Sequence, residues 1–163
     1  MVAESGKALN VLARAGVLAA SLVLLTPALA ADSALSGLSG SWGGNGVIKY
    51  SDGSSERMRC NARYSGGAAD MAMAINCSSS ARSVNISGNL KATGNHVSGS
   101  WAESNLGVTG SASGRASPGH LSLGLGGGVS GSMSVNYAGT HQDVGITVQG
   151  SPLESVNISL SKK

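Results

Sequence analysis

The sequence predicts an all-β domain: an antiparallel up-and-down meander of about 8–10 strands, closed or nearly closed into a barrel, after an N-terminal signal helix. Three observations carry this. Beyond residue 30 no stretch repeats its apolar residues every 3.6 positions. Apolar residues instead alternate with Ser, Asn, Gly and Thr, as in strands with one dry and one wet face. Turn-forming pairs rich in Gly, Asn, Asp and Pro punctuate the chain at short intervals. A two-sheet β-sandwich gives the same alternation, so both architectures stay open at this stage.

The first thirty residues read as an export signal. Lys7 and Arg14 form a positive front, Ala15 to Leu25 is an apolar run, Thr26-Pro27 breaks it, and Ala28-Leu29-Ala30 is a small-x-small cleavage site. The expected organisation is a signal peptide over 1–30, a short tail over 31–40 and a single β-barrel-like domain over 41–163. The expected location is periplasmic or secreted. The first cysteine is Cys60, so none follows the cleavage site to carry a lipid, and no later segment is apolar enough to span a membrane as a helix.

The strands follow from requiring apolar positions to pair across hairpins, because a one-residue slip turns a strand inside out. Asp52-Gly53 joins Ser41–Tyr50 to Ser55–Ser65. A hairpin centred on Ala68-Ala69 sets Cys60 opposite Cys77, Ala62 opposite Ile75 and Tyr64 opposite Met73. In an oxidising compartment that pair reads as a disulfide, worth roughly 3 kcal/mol for a loop of this length. A Thr93-Gly94 turn pairs Leu90 with Val97 and Ile86 with Trp101. Ser104-Asn105 is a tight turn and 114–119 a looser one. Gly126-Gly127-Gly128, 139–142 and Gly150-Ser151-Pro152 complete the set. Ser-Gly-Ser recurs at 39–41, 98–100 and 130–132, each time after an apolar residue; glycine inside a strand marks a bend or a close backbone approach.

Composition limits function. Without Lys7, Arg14 and Glu4, nine basic and seven acidic side chains remain, too balanced for a nucleic-acid footprint. The chain has no Phe, two Trp and three Tyr, too few aromatics for a base-stacking platform. An outer-membrane barrel is disfavoured by the missing aromatic girdles and by strands read as mostly shorter than a bilayer needs. No catalytic set emerges. The one segment shaped like a nucleophile elbow, Gly110-Ser111-Ala112-Ser113-Gly114, has alanine at its centre. His96, His120 and His141 fall at turns or strand ends, and neither a metal nor a cofactor is expected.

Three residues are candidates for ligand binding: Trp42, Trp101 and Glu103, the last placed on the Trp101 face beside a tight turn. Glu103 has a second reading, as a carboxylate capping backbone amides. Arg57, Arg59 and Arg63 alternate with Met58, Cys60, Ala62 and Tyr64, so they form a basic stripe on the outer face. That stripe suits an anionic partner or a solubilising surface.

Leu38-Ser39-Gly40-Ser41-Trp42 resembles the Gly-x-Trp start of the first strand in lipocalins, avidins and related calycin barrels. The resemblance implies a small ligand held inside the barrel, although the several tryptophans of an avidin pocket are absent. The same start, with export and one disulfide, is similar to small periplasmic barrel inhibitors of bacterial metalloproteases, which implies a protein partner. Gly40-Ser41-Trp42, Glu56-Arg57-Met58-Arg59-Cys60, Gly99-Ser100-Trp101-Ala102-Glu103 and Val156-Asn157-Ile158-Ser159-Leu160 resemble exported small β-proteins of Gram-negative bacteria, a likeness that implies export and no particular activity. The expectation is a non-catalytic binding protein for a small, largely apolar ligand. The alternative is a protein-protein module, a protease inhibitor or an envelope assembly factor, with a solid core.

Overall fold

The computed structural model describes residues 35–163; the signal region and residues 31–34 lie outside them. Ten antiparallel strands form a closed barrel: β1 (Gly40–Tyr50), β2 (Ser55–Gly66), β3 (Asp70–Ser78), β4 (Ser83–Thr93), β5 (His96–Glu103), β6 (Val108–Ser117), β7 (His120–Gly127), β8 (Ser130–Ala138), β9 (His141–Gln149) and β10 (Leu153–Lys162). Each strand pairs with its chain neighbours, and β10 closes on β1 from Trp42↔Lys162 to Tyr50↔Leu153. The sandwich alternative is thereby excluded. A short 3-10 turn, Ser36–Leu38, precedes β1.

Alternation decides which way each strand faces. On β2, Met58, Cys60, Ala62 and Tyr64 are buried and Arg57, Arg59, Asn61 and Arg63 are exposed. The outward positions carry mostly Ser, Asn, Gly, Thr and charged residues around the barrel, with a few alanines and Val47 among them, whereas the other large apolar strand residues point in. This is the reverse of a lipid-facing barrel. Strand length does not make that distinction, because the strands run from 8 to 12 residues and are longer than the sequence reading assumed.

The disulfide hairpin has the expected register: Cys60↔Cys77, Ala62↔Ile75 and Tyr64↔Met73, with the sulfurs bonded. Five turns differ from the reading. Two of them differ only in extent: Gly126 and Gly127 belong to β7, which leaves Gly128-Val129 between β7 and β8, and His141 and Gln142 belong to β9, which leaves Gly139-Thr140 as the turn before it. The β4–β5 hairpin turns at Gly94-Asn95, so Ala92 pairs Val97 and Gly88 pairs Trp101. The slip preserves which face each residue occupies and sets the large indole opposite a residue with no side chain. The β5–β6 turn is four residues, Ser104 to Gly107, and not two. β6 continues through Gly114 to Ser117, and Pro118-Gly119, with Gly119 at φ +79°, turns directly into β7.

Gly99 and Gly131, from two of the Ser-Gly-Ser segments, sit where adjacent strands press together. A Cβ would come within 2.0 Å of the Asn89 carbonyl oxygen at Gly99 and 2.1 Å of the Thr147 carbonyl oxygen at Gly131. Only glycine allows so close an approach.

One end of the barrel is plugged. Leu35 and Leu38 are fully buried there, and the Trp42 indole Nε1 donates to the Leu38 carbonyl at 2.8 Å. Gly37 lies against the Tyr137 ring, where a Cβ would fall 2.6 Å from Cε2. Nearby, buried Gln142 Nε2 donates to the Tyr64 hydroxyl at 2.8 Å. Burial pushes the Tyr64 phenol well above its ordinary range, against the smaller lowering effect of that hydrogen bond.

Two predictions follow from this core. Replacing both cysteines by serine lowers unfolding free energy by about 3 kcal/mol, read from urea denaturation; an unchanged midpoint would contradict it. Tyr64 adds a pH dependence. Below about pH 10 the phenol is neutral in folded and unfolded chains alike. Above that, only the unfolded chain ionises, so stability falls as pH rises. Tyr64→Phe therefore loses less stability than wild type between about pH 9 and pH 11, in urea midpoints measured at both.

Candidate functional site: an apolar cavity with one open end

A cavity of about 420 Å³ occupies the half of the barrel away from the plug. That volume lies within the range of small-molecule sites. Its inner wall is Met73, Leu90, Trp101, Leu123, Met133 and Ile146, all buried. Nearer the mouth the inward residues Val84, Ile86, Val108, Leu125 and Val148 are half-buried, since they face the space rather than one another. β1 and β2 contribute nothing to the lining. On their side Ile48, Met58 and the disulfide fill the interior, and Gly46 leaves room for the Cys60 sulfur, which a Cβ would approach to 3.1 Å.

The mouth lies between the β3–β4, β5–β6, β7–β8 and β9–β10 turns, which bring Arg82, Asn105, Leu106, Val129 and Ser151 to its rim. Polar atoms sit only at this end of the lining, apart from Ser100. A ligand here would place its apolar part on the Trp101–Met133 wall and its polar part between the turns.

Two carboxylates hold the rim. Glu103 is 6% exposed and spends both oxygens on backbone amides: Oε1 accepts from Asn85 N (2.9 Å) and Asn105 N (3.2 Å), and Oε2 accepts from Leu106 N (2.6 Å). Those acceptors let the chain make a four-residue turn there. Asn105 extends the latch, donating through Nδ2 to the Ser83 carbonyl at 2.7 Å and accepting from Asn85 Nδ2 at 3.3 Å. Glu56 does the same across the rim. It accepts from the Tyr50 hydroxyl at 3.3 Å and from Ser79 Oγ, and pairs with Arg82 Nε at 3.2 Å; the Arg82 guanidinium lies 5.0 Å from the Tyr50 ring centroid.

The structure therefore brings Trp101 and Glu103 to one cavity and leaves Trp42 out of it. Trp42 belongs to the plugged end, beneath Leu38. Trp101 forms wall, its Nε1 occupied by the Ser111 carbonyl at 3.1 Å. Glu103 lines the mouth, but its hydrogen bonds go to the turn, as the amide-capping reading expects. Glu56 was missed. Its signal was present: a charged residue at an inward position of β2, in line with Met58, Cys60 and Ala62. Arg57, Arg59 and Arg63 are outside the barrel, as read. Among the described residues no group of three or more His, Cys, Asp or Glu is placed to hold a metal ion.

The latch makes a prediction. Glu103→Ala frees three amides and destabilises the protein by about 2–3 kcal/mol in urea denaturation. Glu103→Gln also destabilises, because its amide group faces a donor in place of one oxygen. Stability equal to wild type in both variants would show that the latch contributes nothing.

No protein-family model matches this chain, and no curated protein matches it in sequence. Among solved structures it is similar to Rv2717c from M. tuberculosis, with a TM-score of 0.67 and 19% identity over 82% of this chain and 98% of that one. It also aligns with a redesigned beta barrel at a TM-score of 0.47 and 11% identity, over 82% of this chain and 97% of that one. The first likeness shows a shared β-barrel fold.

Proposed function

We propose that this chain is an exported, non-catalytic β-barrel that binds one small, largely apolar molecule in the cavity behind Trp101. The carrying observation is the cavity itself: an apolar interior of about 420 Å³, walled at its inner end by packed core side chains such as Met73, Leu90 and Leu123 and bounded at the other by turns that Glu56 and Glu103 hold in place. A mouth latched by hydrogen bonds needs little ordering when a ligand enters, which favours binding to the existing shape. A protein-protein module with a solid core is less well supported, because such a core leaves no space of this size. Export rests on the reading of residues 1–30. The Cys60–Cys77 disulfide is compatible with an oxidising compartment, and among the described residues no helix is long and apolar enough to cross a membrane.

Fluorescence titration with 1-N-phenylnaphthylamine, an apolar probe, tests this. Saturable one-to-one enhancement with a change in tryptophan emission is expected. Leu125→Trp and Val148→Trp each push an indole into the cavity from its half-buried wall. Each should weaken binding about tenfold or more while thermal melting stays cooperative. A linear, non-saturating response, or wild-type affinity in both folded variants, would count decisively against a ligand cavity.

A further inference from the structure

We propose that the outer face of β10, β1 and β2 is a docking surface for a linear anionic polysaccharide, engaged by Arg57, Arg59 and Arg63. The register places outward residues in rows across these strands: Ser41–Arg63, Ser161–Gly43–Asn61, Ser159–Asn45–Arg59, Asn157–Val47–Arg57 and Ser155–Lys49–Ser55. Lys163 enters the same face, its backbone N–H bonded to the Ser41 carbonyl and its Nζ reaching Asn61 Oδ1 at 2.6 Å. Gly43 lets it lie flat, since a Cβ there would meet Lys163 Cε at 2.3 Å. These rows hold five cations, Lys49, Arg57, Arg59, Arg63 and Lys163, and no acidic side chain.

The neighbouring acids do not neutralise the face. Asp70 pairs with Lys91 at 3.7 Å. Asp143, on β9 at the edge of the Ser159 row, lies 3.3 Å from His141 Nε2 and accepts from Ser159 Oγ at 2.5 Å, one carboxylate at the border of a face with five cations. Glu154 sits beyond the rows, beside the irregularity at Lys49/Tyr50. Among the described residues none of the five cations has an ion-pair partner. A face that served only solubility would intersperse both signs, whereas this one concentrates like charge on one strand in a chain of formal charge only +3.

The geometry selects the partner. The arginines lie in line along β2, and Arg57 to Arg63 spans about 20 Å at strand rise. That is a one-strand-wide track, suited to a single extended polymer with repeated charges. Asn45, Asn61 and Asn157 flank it with amides that donate to and accept from hydroxyl groups. No aromatic side chain stands at these outward positions to stack on bases, and Val47, the one apolar side chain in the rows, is half-buried, so the face has nothing to insert into a lipid surface.

The test is fluorescence anisotropy with a labelled heparin oligosaccharide as the sulfated probe, between about 20 and about 200 mM salt. Wild type should bind with an affinity that falls as salt rises. R57S/R59S/R63S should bind about tenfold or more weakly, and Arg59→Ser alone should show an intermediate loss. The equally discharged control K91S/R115S/K162S should stay within about threefold of wild type. Thermal melts check that the variants fold. Failure to bind at low salt would overturn the proposal. So would equal losses in the two triple variants, which would mark attraction by net charge alone. Equal affinity for a single-stranded DNA of matched charge would overturn the polysaccharide assignment as well.

Discussion

Closure of the sheet is the constraint on which everything else in this molecule depends. A sheet so rich in Ser and Gly has few bulky side chains with which to shield an edge, and pairing β10 with β1 leaves no edge to shield. That pairing depends on close backbone approach. At Gly44, opposite Leu160, a Cβ would fall 2.0 Å from the Ser159 carbonyl oxygen. Closure at ten strands also sets the bore. Eight strands make an interior that side chains can just fill or that holds one small ligand, and diameter grows with strand number. Ten strands built from Val, Leu, Ile, Met and Ala, without phenylalanine, therefore enclose more space than their side chains occupy. This also separates the chain from the eight-stranded lipocalins that its Gly-x-Trp start resembles.

The surplus space is distributed unevenly, and the unevenness makes the site. At one end Leu35 and Leu38 fold in over Trp42, with the Tyr64–Gln142 pair among the buried residues of that end. Along β1 and β2 the disulfide, Ile48 and Met58 fill the interior. What remains open is the region bounded by β3 to β10 and ending between the turns. Plug and mouth differ chemically: at the sealed end Trp42 Nε1 and Gln142 Nε2 donate to single buried acceptors while Gln142 Oε1 is left without a partner among the described residues, whereas an open end must keep its turns apart. Glu56 and Glu103 do the latter, each accepting hydrogen bonds from more than one segment.

Period-two patterning made much of this legible in the sequence, because burial on one face dictates which residues point inward. It identified strand faces, the arginine side of β2 and the Cys60–Cys77 register, where a covalent link and the apolar pattern had to agree. It could not settle the β4–β5 register, since a slip of two leaves every side chain on its own face; the pairing of Trp101 with Gly88 decides it, and that is a packing fact. Nor could it separate the two tryptophans. Trp42 and Trp101 follow the same Ser-Gly-Ser segment, but β1 and β5 both begin at the plugged end, and the tail fold covers Trp42 while Trp101 lies further along its strand, against the cavity. The cavity was illegible for a related reason. Its volume depends on strand number and closure, which alternation does not report.

The two faces of each strand answer to different demands, and the barrel keeps those demands apart. Met58 and Cys60 fill the interior while Arg57 and Arg59, one residue away, meet solvent. A change at an outward position leaves the inner wall untouched so long as register holds, and the disulfide helps to hold register where the arginines are densest. A cavity opening at one end and a charged track along the side wall can therefore coexist without competing for residues. Occupancy of one need not alter the other, because the wall between them is a hydrogen-bonded sheet whose interior on that side is already filled by Ile48, Met58 and the disulfide.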